Sequence, residues 1–203
     1  PDNQNKIFFS DNGSTAVEVA IKVALQYFYN KGEKRTKIIA FENAFHGDTF
    51  AAMAASGISF FTEAFQDSMI EVARIPVPTK GNEEASYTAL EKLAATDEYA
   101  GFIFEPLVQG AAGMVIYEPE TLDELIKICQ QHQIITIADE VMTGFGKTGK
   151  TFACDYLQTQ PDMMCLSKAL TGGTIPMAIT TFTKELFDDF YGDDIKKALF
   201  HGH

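Results

Sequence analysis

The chain has 203 residues, and its 46% hydrophobic content is enough for one sizeable domain with a buried core. An excess of 28 acidic over 16 basic residues gives a net charge of −12, which argues against binding to nucleic acid or to an anionic membrane surface. The three cysteines lack C-x-x-C spacing, so we expect buried thiols rather than a disulfide or zinc framework.

Neither an export signal nor an apolar run of membrane-spanning length stands out in the sequence. We therefore expect a cytoplasmic protein without a membrane segment. The start without Met and the abrupt end at LFHGH suggest that residues 1–203 are a fragment of a longer chain, lacking its N- and C-terminal parts.

Apolar strands alternate with helical patterns in the first half of the chain. Lys6–Ser10 is a strand candidate, and apolar residues at helical spacing after DNGS predict a long helix capped by Thr15 and Glu18. Residues 37–42 (KIIAFE) and 101–106 (GFIFEP) are further strand candidates, with the helical pattern TALEKLAA between them.

The second half continues the alternation. Pro119 suits the first turn of a helix, and the apolar segments 134–140, 163–167 and 176–182 predict strands. Such strands separated by helices indicate an α/β fold with three αβα layers and a mainly parallel sheet. Ligands in these folds bind at the carboxyl ends of the strands.

The segment GFGKTGKT, residues 144–151, matches the phosphate-loop pattern G-x-x-x-x-G-K-[ST] at Lys150 and Thr151. A true phosphate loop also needs a helix that starts at the Lys-Thr pair. Here Asp139-Glu140 immediately precedes the loop and Pro161 soon follows it, so a nucleotide-binding protein is the weaker alternative.

Three further parts of the sequence together predict a pyridoxal-phosphate site. The segment DNGST, residues 11–15, puts a glycine and two hydroxyls at the start of the long helix, where exposed N–H groups and the helix dipole favour a phosphate. Asp139 ends a buried strand and could pair with a pyridinium nitrogen, while Lys168 follows the next strand and could bond to an aldehyde. Taken singly, the helix start would indicate only a capped helix, and Lys168 would be a solvated loop lysine.

At these residues the chain resembles the class III, fold type I aminotransferases over essentially its whole length. The resemblance rests on five segments: SDNGSTAVEVAIKVALQY, AFHGDTFAAM, FIFEPLVQGAAGM, IADEVMTGFGKTGKTFACD and LSKALTGG. It implies the large, cofactor-binding domain of the aspartate-aminotransferase-like fold, present in part. GSTAVEVA, HGDT and KALTGG favour one particular member of the family.

The resemblance also implies the roles of individual residues. Lys168 would bond to the cofactor aldehyde and carry a proton between substrate and cofactor. The other implied roles are phosphate binding by Gly13 and Ser14, pyridinium pairing by Asp139, ring packing by Val141, support near the ring by Glu105 and Gln109, and a substrate contact by Asp48. GFGKTGKT would be the active-site loop that follows the Asp139 strand.

Two positions depart from the family pattern. Phe45 stands where the family usually has a stacking Tyr, and Lys147 stands in place of the Arg of GFGRTG. Phe keeps the stacking ring without its hydroxyl, and Lys keeps the charge without the bidentate fork. Both changes lie on the substrate side and leave the amino donor open.

No metal is expected. His46 is interpreted as a structural hydrogen-bonding residue, and residues 201–203 (HGH) as part of a phosphate-binding segment that serves a neighbouring subunit.

The resemblance predicts transamination with pyridoxal phosphate, between a small-molecule amino donor and a keto acceptor, in a homodimer. A relative that acts on ornithine, acetylornithine, 4-aminobutyrate or a similar ω-amine is the nearest alternative. A fragment that folds without turnover is another.

Overall fold

The computed structural model describes residues 2–57 and 62–202. The strands of the described part are β1 (Lys6–Ser10), β2 (Lys37–Phe41), β3 (Val72–Ile75), β4 (Tyr99–Phe104), β5 (Val108–Gln109), β6 (Val115–Ile116), β7 (Ile135–Asp139), β8 (Met163–Leu166) and β9 (Ala178–Phe182). Its α-helices are α1 (Gly13–Asn30), α2 (Phe50–Ala55), α3 (Glu83–Ala94), α4 (Pro119–Gln131) and α5 (Lys184–Asp188). Short 3₁₀ helices lie at Glu63–Ser68, Ala153–Tyr156, Lys168–Leu170 and Ile195–Lys197.

Seven strands form one sheet in the order β1-β9-β8-β7-β4-β2-β3. The run from β8 to β3 is parallel, and β9 pairs antiparallel with both β8 and β1. The predicted mainly parallel sheet is confirmed. Sequence reasoning missed the edge strand β3 and the small β5–β6 hairpin, which are short and only partly buried.

Alternate residues of the strands pack against opposite helical layers. On β2, Ile38 joins the apolar cluster around α1, whereas Ile39 joins the cluster that contains residues of α3 and α4. Because both faces are covered, the strands are apolar along nearly their whole length. The three-layer αβα architecture is thereby confirmed.

The cap of α1 differs from the predicted one. Asn12 is the N-cap: its side chain accepts from the Thr15 N–H at 3.0 Å, and the Thr15 hydroxyl accepts from the Asn12 N–H at 3.2 Å. Thr15 is therefore the N3 partner, and Glu18 lies too far along the helix to reach the cap. Glu18 instead bonds to the start of α2.

No helix in residues 2–57 or 62–202 is long and apolar enough to cross a membrane.

Candidate active site

A cavity of about 760 Å³ lies at the edge of the sheet where the parallel strands end. It is lined by residues 11–14, 45–48, 105, 110, 111, 114, 139, 141, 142, 167, 168, 171, 173 and 175–177. These residues follow β1, β2, β4, β7 and β8 or precede β9, so the cavity collects the ends of most strands. This is the edge at which the sequence predicted a ligand.

Strand register brings the predicted acid and amine to neighbouring positions. Phe104 of β4 pairs with Ala138 of β7, so Glu105, which follows β4, and Asp139, which ends β7, lie at the same level of adjacent strands. Asp139 in turn pairs with Cys165 of β8, three residues before Lys168. Asp139 and Lys168 both line the cavity, as the sequence predicted.

Asp139 is a buried carboxylate with two hydrogen-bond partners in the protein. Its Oδ2 lies 2.7 Å from His46 Nδ1, and its Oδ1 accepts from the Val141 N–H at 3.1 Å. The His46 N–H donates to Ser56 Oγ at 2.9 Å, which fixes the backbone next to the imidazole. Sequence reasoning missed the pairing of His46 with Asp139, because no local pattern links residues so far apart in the chain.

Glu105 is a second buried carboxylate in the cavity wall. It accepts from the Phe45 N–H at 3.2 Å and from the Gly110 N–H at 3.0 Å. Burial raises the pKa of Glu105 above its usual value, and the nearby His46 opposes this shift. Its two bonds hold the segments on either side of the cavity in place.

The start of α1 forms a tightly packed end of the cavity. A Cβ on Gly13 would lie 2.9 Å from Val141 Cγ1, so the close approach of these two segments requires glycine. Gly47 has φ +128°, and a Cβ there would lie 2.3 Å from Ser14 Oγ. Ser14 Oγ accepts from the Asp48 N–H at 3.1 Å, so Ser14 also ties the two segments together.

Lys168 is exposed to the cavity and has a left-handed backbone, with φ 44°. A non-glycine residue in this region carries a conformational cost, which is commonly found where a side chain must be aimed at a site. The preceding Ser167 is anchored by its Oγ, which donates to the Met177 carbonyl at 3.0 Å. The strained turn therefore lies between two well-packed strands, β8 and β9.

Of the remaining predicted site residues, Phe45, Asp48 and Val141 line the cavity. Gln109 is fully buried, but its Nε2 donates to the Glu42 carbonyl at 3.1 Å and it does not line the cavity. Lys147 also lies outside the cavity lining, as does the rest of the segment 144–151. The structure thus offers no cavity contact for either residue.

The phosphate-loop reading of GFGKTGKT is not supported by the local structure. The segment after Thr151 forms only the 3₁₀ helix Ala153–Tyr156, whereas a phosphate loop needs a helix that begins at Lys-Thr. Lys150 is already engaged: its Nζ donates to the Asp155 carbonyl at 2.8 Å and lies 4.3 Å from the centre of the Tyr156 ring.

No group of three His, Cys, Asp or Glu side chains within the described ranges could hold a metal ion. Of the predicted HGH segment, His203 lies outside the described residues. The His201 ring packs edge-on against Phe8, and its Nδ1 lies 3.2 Å from Lys22 Nζ.

The fold is that of the fold type I aminotransferases, as the comparisons with known proteins show. Residues 1–202 match the family model for "Aminotransferase class-III". The chain belongs to the class III aminotransferases.

The chain is 44% identical over its whole length to the adenosylmethionine-8-amino-7-oxononanoate aminotransferase of Synechococcus elongatus, and covers 50% of that protein. It is 40% identical to the protein of that name from Staphylococcus aureus, again over the whole chain and 48% of the relative. The chain therefore spans about half the length of the curated relatives that it matches.

Solved structures that are similar to the chain are also aminotransferases. The crystal structure of the enzyme with that name from Methanocaldococcus jannaschii superposes with a TM-score of 0.93 at 37% identity, covering all of this chain and 48% of that one. A PLP-bound amine transaminase from an uncultivated Pseudomonas species superposes at 0.91 with 28% identity, over all of this chain and 49% of the other. The segments GSTAVEVA, HGDT and KALTGG favoured one member of the family, adenosylmethionine-8-amino-7-oxononanoate aminotransferase. The resemblance to that member is confirmed by these relatives and by the M. jannaschii structure.

Proposed function

We propose that the protein carries out pyridoxal-phosphate-dependent transamination, with 8-amino-7-oxononanoate as the amino acceptor and 7,8-diaminononanoate as the product. The observation that carries this proposal is the cavity itself, whose lining includes Asp139, Lys168 and the start of α1. The names of the relatives supply the acceptor. The ω-amine alternative receives less support, since neighbouring structures of ω-transaminases are only 26–29% identical.

The residues present fit the cofactor. Gly13 and Ser14 lie in the first turn of α1, where N–H groups and the helix dipole favour a phosphate. The buried Asp139 carboxylate uses two partners among the described residues, and burying it favours a further cationic partner such as a ring nitrogen. When bound, pyridoxal phosphate acts as an electron sink for the negative charge that develops on the substrate carbon.

The chain's own residues then have distinct tasks. Lys168 would hold the cofactor through its amine. When the donor amine displaces it, Lys168 would carry a proton between the substrate carbon and the former aldehyde carbon of the cofactor, which lie on either side of the shared nitrogen. Asp139 is oriented by His46 and the Val141 N–H, and it would pair with the ring nitrogen and favour its positive charge. Phe45, Asp48 and Val141 line the same cavity. Val141 and Phe45 would offer apolar surface to the ring, and Asp48 would contact the substrate.

Borohydride trapping tests the covalent step. The protein is incubated with pyridoxal phosphate, reduced with borohydride, digested and analysed by mass spectrometry. We expect visible absorbance before reduction and a cofactor-sized mass increase on Lys168 after it. Label on Lys147 or Lys150 with an unmodified Lys168 would contradict the proposal.

A substrate panel tests the acceptor and donor. We expect diamine product from 8-amino-7-oxononanoate with adenosylmethionine or lysine as donor, and little turnover of ornithine, acetylornithine or 4-aminobutyrate. Trapping at Lys168 without turnover would indicate that the chain binds the cofactor but needs the rest of the longer relatives for catalysis.

We further propose that the protein works as a homodimer. Two large apolar side chains of the cavity lining, Met114 and Ile175, are exposed. Exposed apolar side chains of this size suit burial against a second subunit. Sedimentation equilibrium tests the proposal, and a monomer at micromolar concentration would contradict it.

A further inference from the structure

Helix α2 is a six-residue, almost wholly apolar segment that follows directly on the cavity wall formed by residues 45–48. A helix this short cannot hold its own position by backbone hydrogen bonds, because nearly all its N–H and C=O groups are terminal. Its N-cap, Thr49, makes no capping bond with its side chain. Other parts of the chain must therefore hold it.

Two charged side chains from elsewhere in the chain bind the ends of α2. At its start, the Glu18 carboxylate accepts from Thr49 Oγ1 at 2.7 Å, from the Ala51 N–H at 3.1 Å and from the Ala52 N–H at 3.2 Å. At its end, the Arg74 guanidinium donates to the carbonyls of Ala54, Ala55 and Ser56. The negative group lies at the helix N-terminus and the positive group at the C-terminus, as the helix dipole favours.

Glu18 links the two halves of the cavity wall. It lies on the second turn of α1, the helix whose first residues, Gly13 and Ser14, line one side of the cavity. Through Thr49 and α2 it reaches the adjoining segment of the wall, which carries Phe45, His46 and Asp48. Among the described residues, Glu18 is the only charged side chain of α1 that bonds to the first turn of α2.

We propose that Glu18 is a positioning residue for the cavity: without touching any ligand, its carboxylate holds the start of α2 and thereby the wall formed by residues 45–48. Arg74 holds the other end of the same helix. Burial lowers the pKa of Arg74 to about 10. Because this value is still well above 7, Arg74 is charged at neutral pH.

Amide hydrogen exchange on the protein without cofactor tests this proposal directly. The three bonds end on Glu18 Oε2, so glutamine can keep them with its one acceptor oxygen, but Glu18→Gln removes the negative charge that strengthens each bond and favours the helix start. We expect exchange of the Ala51, Ala52 and His46 amides to accelerate by about tenfold, while the amides of α3 and α4 keep their rates. Glu91→Gln, at an exposed position on α3, is the matched control and should change none of them.

Thr49 provides a second test that leaves the charge in place. Thr49→Val removes the hydroxyl that donates to Glu18, and we expect a smaller acceleration, about threefold, at the same amides. Thr49→Ser restores the hydroxyl and should return the rates to those of the unmodified protein. This pair decides the question if Glu18→Gln does not fold.

Three results would overturn the proposal. The first is unchanged exchange at Ala51 and Ala52, and the second is equal acceleration in every helix, which would mean a general loss of stability. The third is acceleration at Ala51 and Ala52 with His46 unaffected, which would mean that α2 does not hold the wall.

A further measurement rests on the proposed function. The half-saturating concentration of pyridoxal phosphate should rise several-fold in Glu18→Gln, with the turnover number at saturation little changed. If the unmodified protein bound no pyridoxal phosphate, the proposed function would fail, whereas the exchange experiment would still decide the role of Glu18.

Discussion

Asp139 and Glu140 are adjacent carboxylates at the end of β7, yet they serve two different regions of the molecule. Asp139 faces the cavity and bonds to His46 and the Val141 N–H. Glu140 faces the other way, is fully buried, and accepts from Thr143 Oγ1 at 2.7 Å, the Ala153 N–H at 3.0 Å and the Cys154 N–H at 2.7 Å.

The difference lies in how fully each carboxylate is occupied. A carboxylate can accept about four hydrogen bonds, and Glu140 uses three of them to close the segment 141–152 onto the 3₁₀ helix that follows it. Asp139 uses two and has a side open to the cavity. The comparison predicts that Glu140 mainly stabilises the fold, whereas Asp139 mainly serves a ligand.

The largest expected effect is on stability, in Glu140→Ala. Three buried donors lose their acceptor, so we expect the free energy of unfolding to fall by about 3 kcal/mol or more. Urea unfolding followed by circular dichroism measures it. Glu140→Gln should lose less, because it retains one acceptor oxygen, and a loss below about 1 kcal/mol in Glu140→Ala would contradict the comparison.

On the cavity side, Asp139→Asn should reduce transamination on the order of 100-fold, because the neutral amide cannot balance a positive charge on the ring nitrogen. The free energy of unfolding should change by less than about 1 kcal/mol, since the side chain keeps its shape. Initial rates and urea unfolding are measured on the same preparation. A large loss of stability with little loss of rate would reverse the roles assigned to the two carboxylates.

A smaller effect is expected at Lys168, where the backbone is left-handed. Lys168→Gly should be more stable than Lys168→Ala by about 1 kcal/mol, because glycine adopts φ 44° without the Cβ clash. The same pair of substitutions at Lys147, whose φ is not positive, should show no advantage for glycine. Thermal unfolding of the four variants decides the matter, and equal stability of the two Lys168 variants would rule out the inferred strain.

The smallest expected effect is a pH dependence from Glu105. Because burial raises its pKa in the folded state, the native protein takes up a proton at a higher pH than the unfolded chain does. The resulting stabilisation is fully present below the unfolded value of about 4.5 and is lost as the pH rises through the folded pKa.

The stability of the unmodified protein relative to Glu105→Gln should therefore decline as the pH rises above that value. Urea unfolding of both proteins between about pH 4 and pH 7 measures the difference. A difference that does not vary with pH would show that Glu105 titrates at the same pH in both states.

Much of the fold could be predicted, because the strands are buried on both faces and therefore appear as continuous apolar runs. β2, β4, β7, β8 and β9 all appear near their predicted positions. The edge strand β3 was missed because its sequence, VARI, is short and includes Arg74. The cap of α1 was misassigned because both Asn12 and Thr15 can occupy an N-cap, and the local sequence does not choose between them.

The candidate site was predictable wherever its residues follow a strand or begin a helix. Gly13, Ser14, Asp139 and Lys168 are of this kind, since parallel strands bring their carboxyl ends to one edge. Lys147 was expected on the substrate side because the family resemblance places it at the Arg of GFGRTG, but it does not line the cavity. Glu140 binds the 141–152 segment on the side away from the cavity, and a pattern in the sequence carries no sign of that contact.

The sequence by itself determined the layers, most of the strands and the family, because these depend on periodicity and on short segments of adjacent residues. Only the tertiary structure decided that His46 bonds to Asp139, that Glu18 holds the start of α2, and that neighbouring carboxylates face opposite regions. Those relations join residues distant in the chain or depend on the direction of a side chain. Packing of the whole domain fixes both.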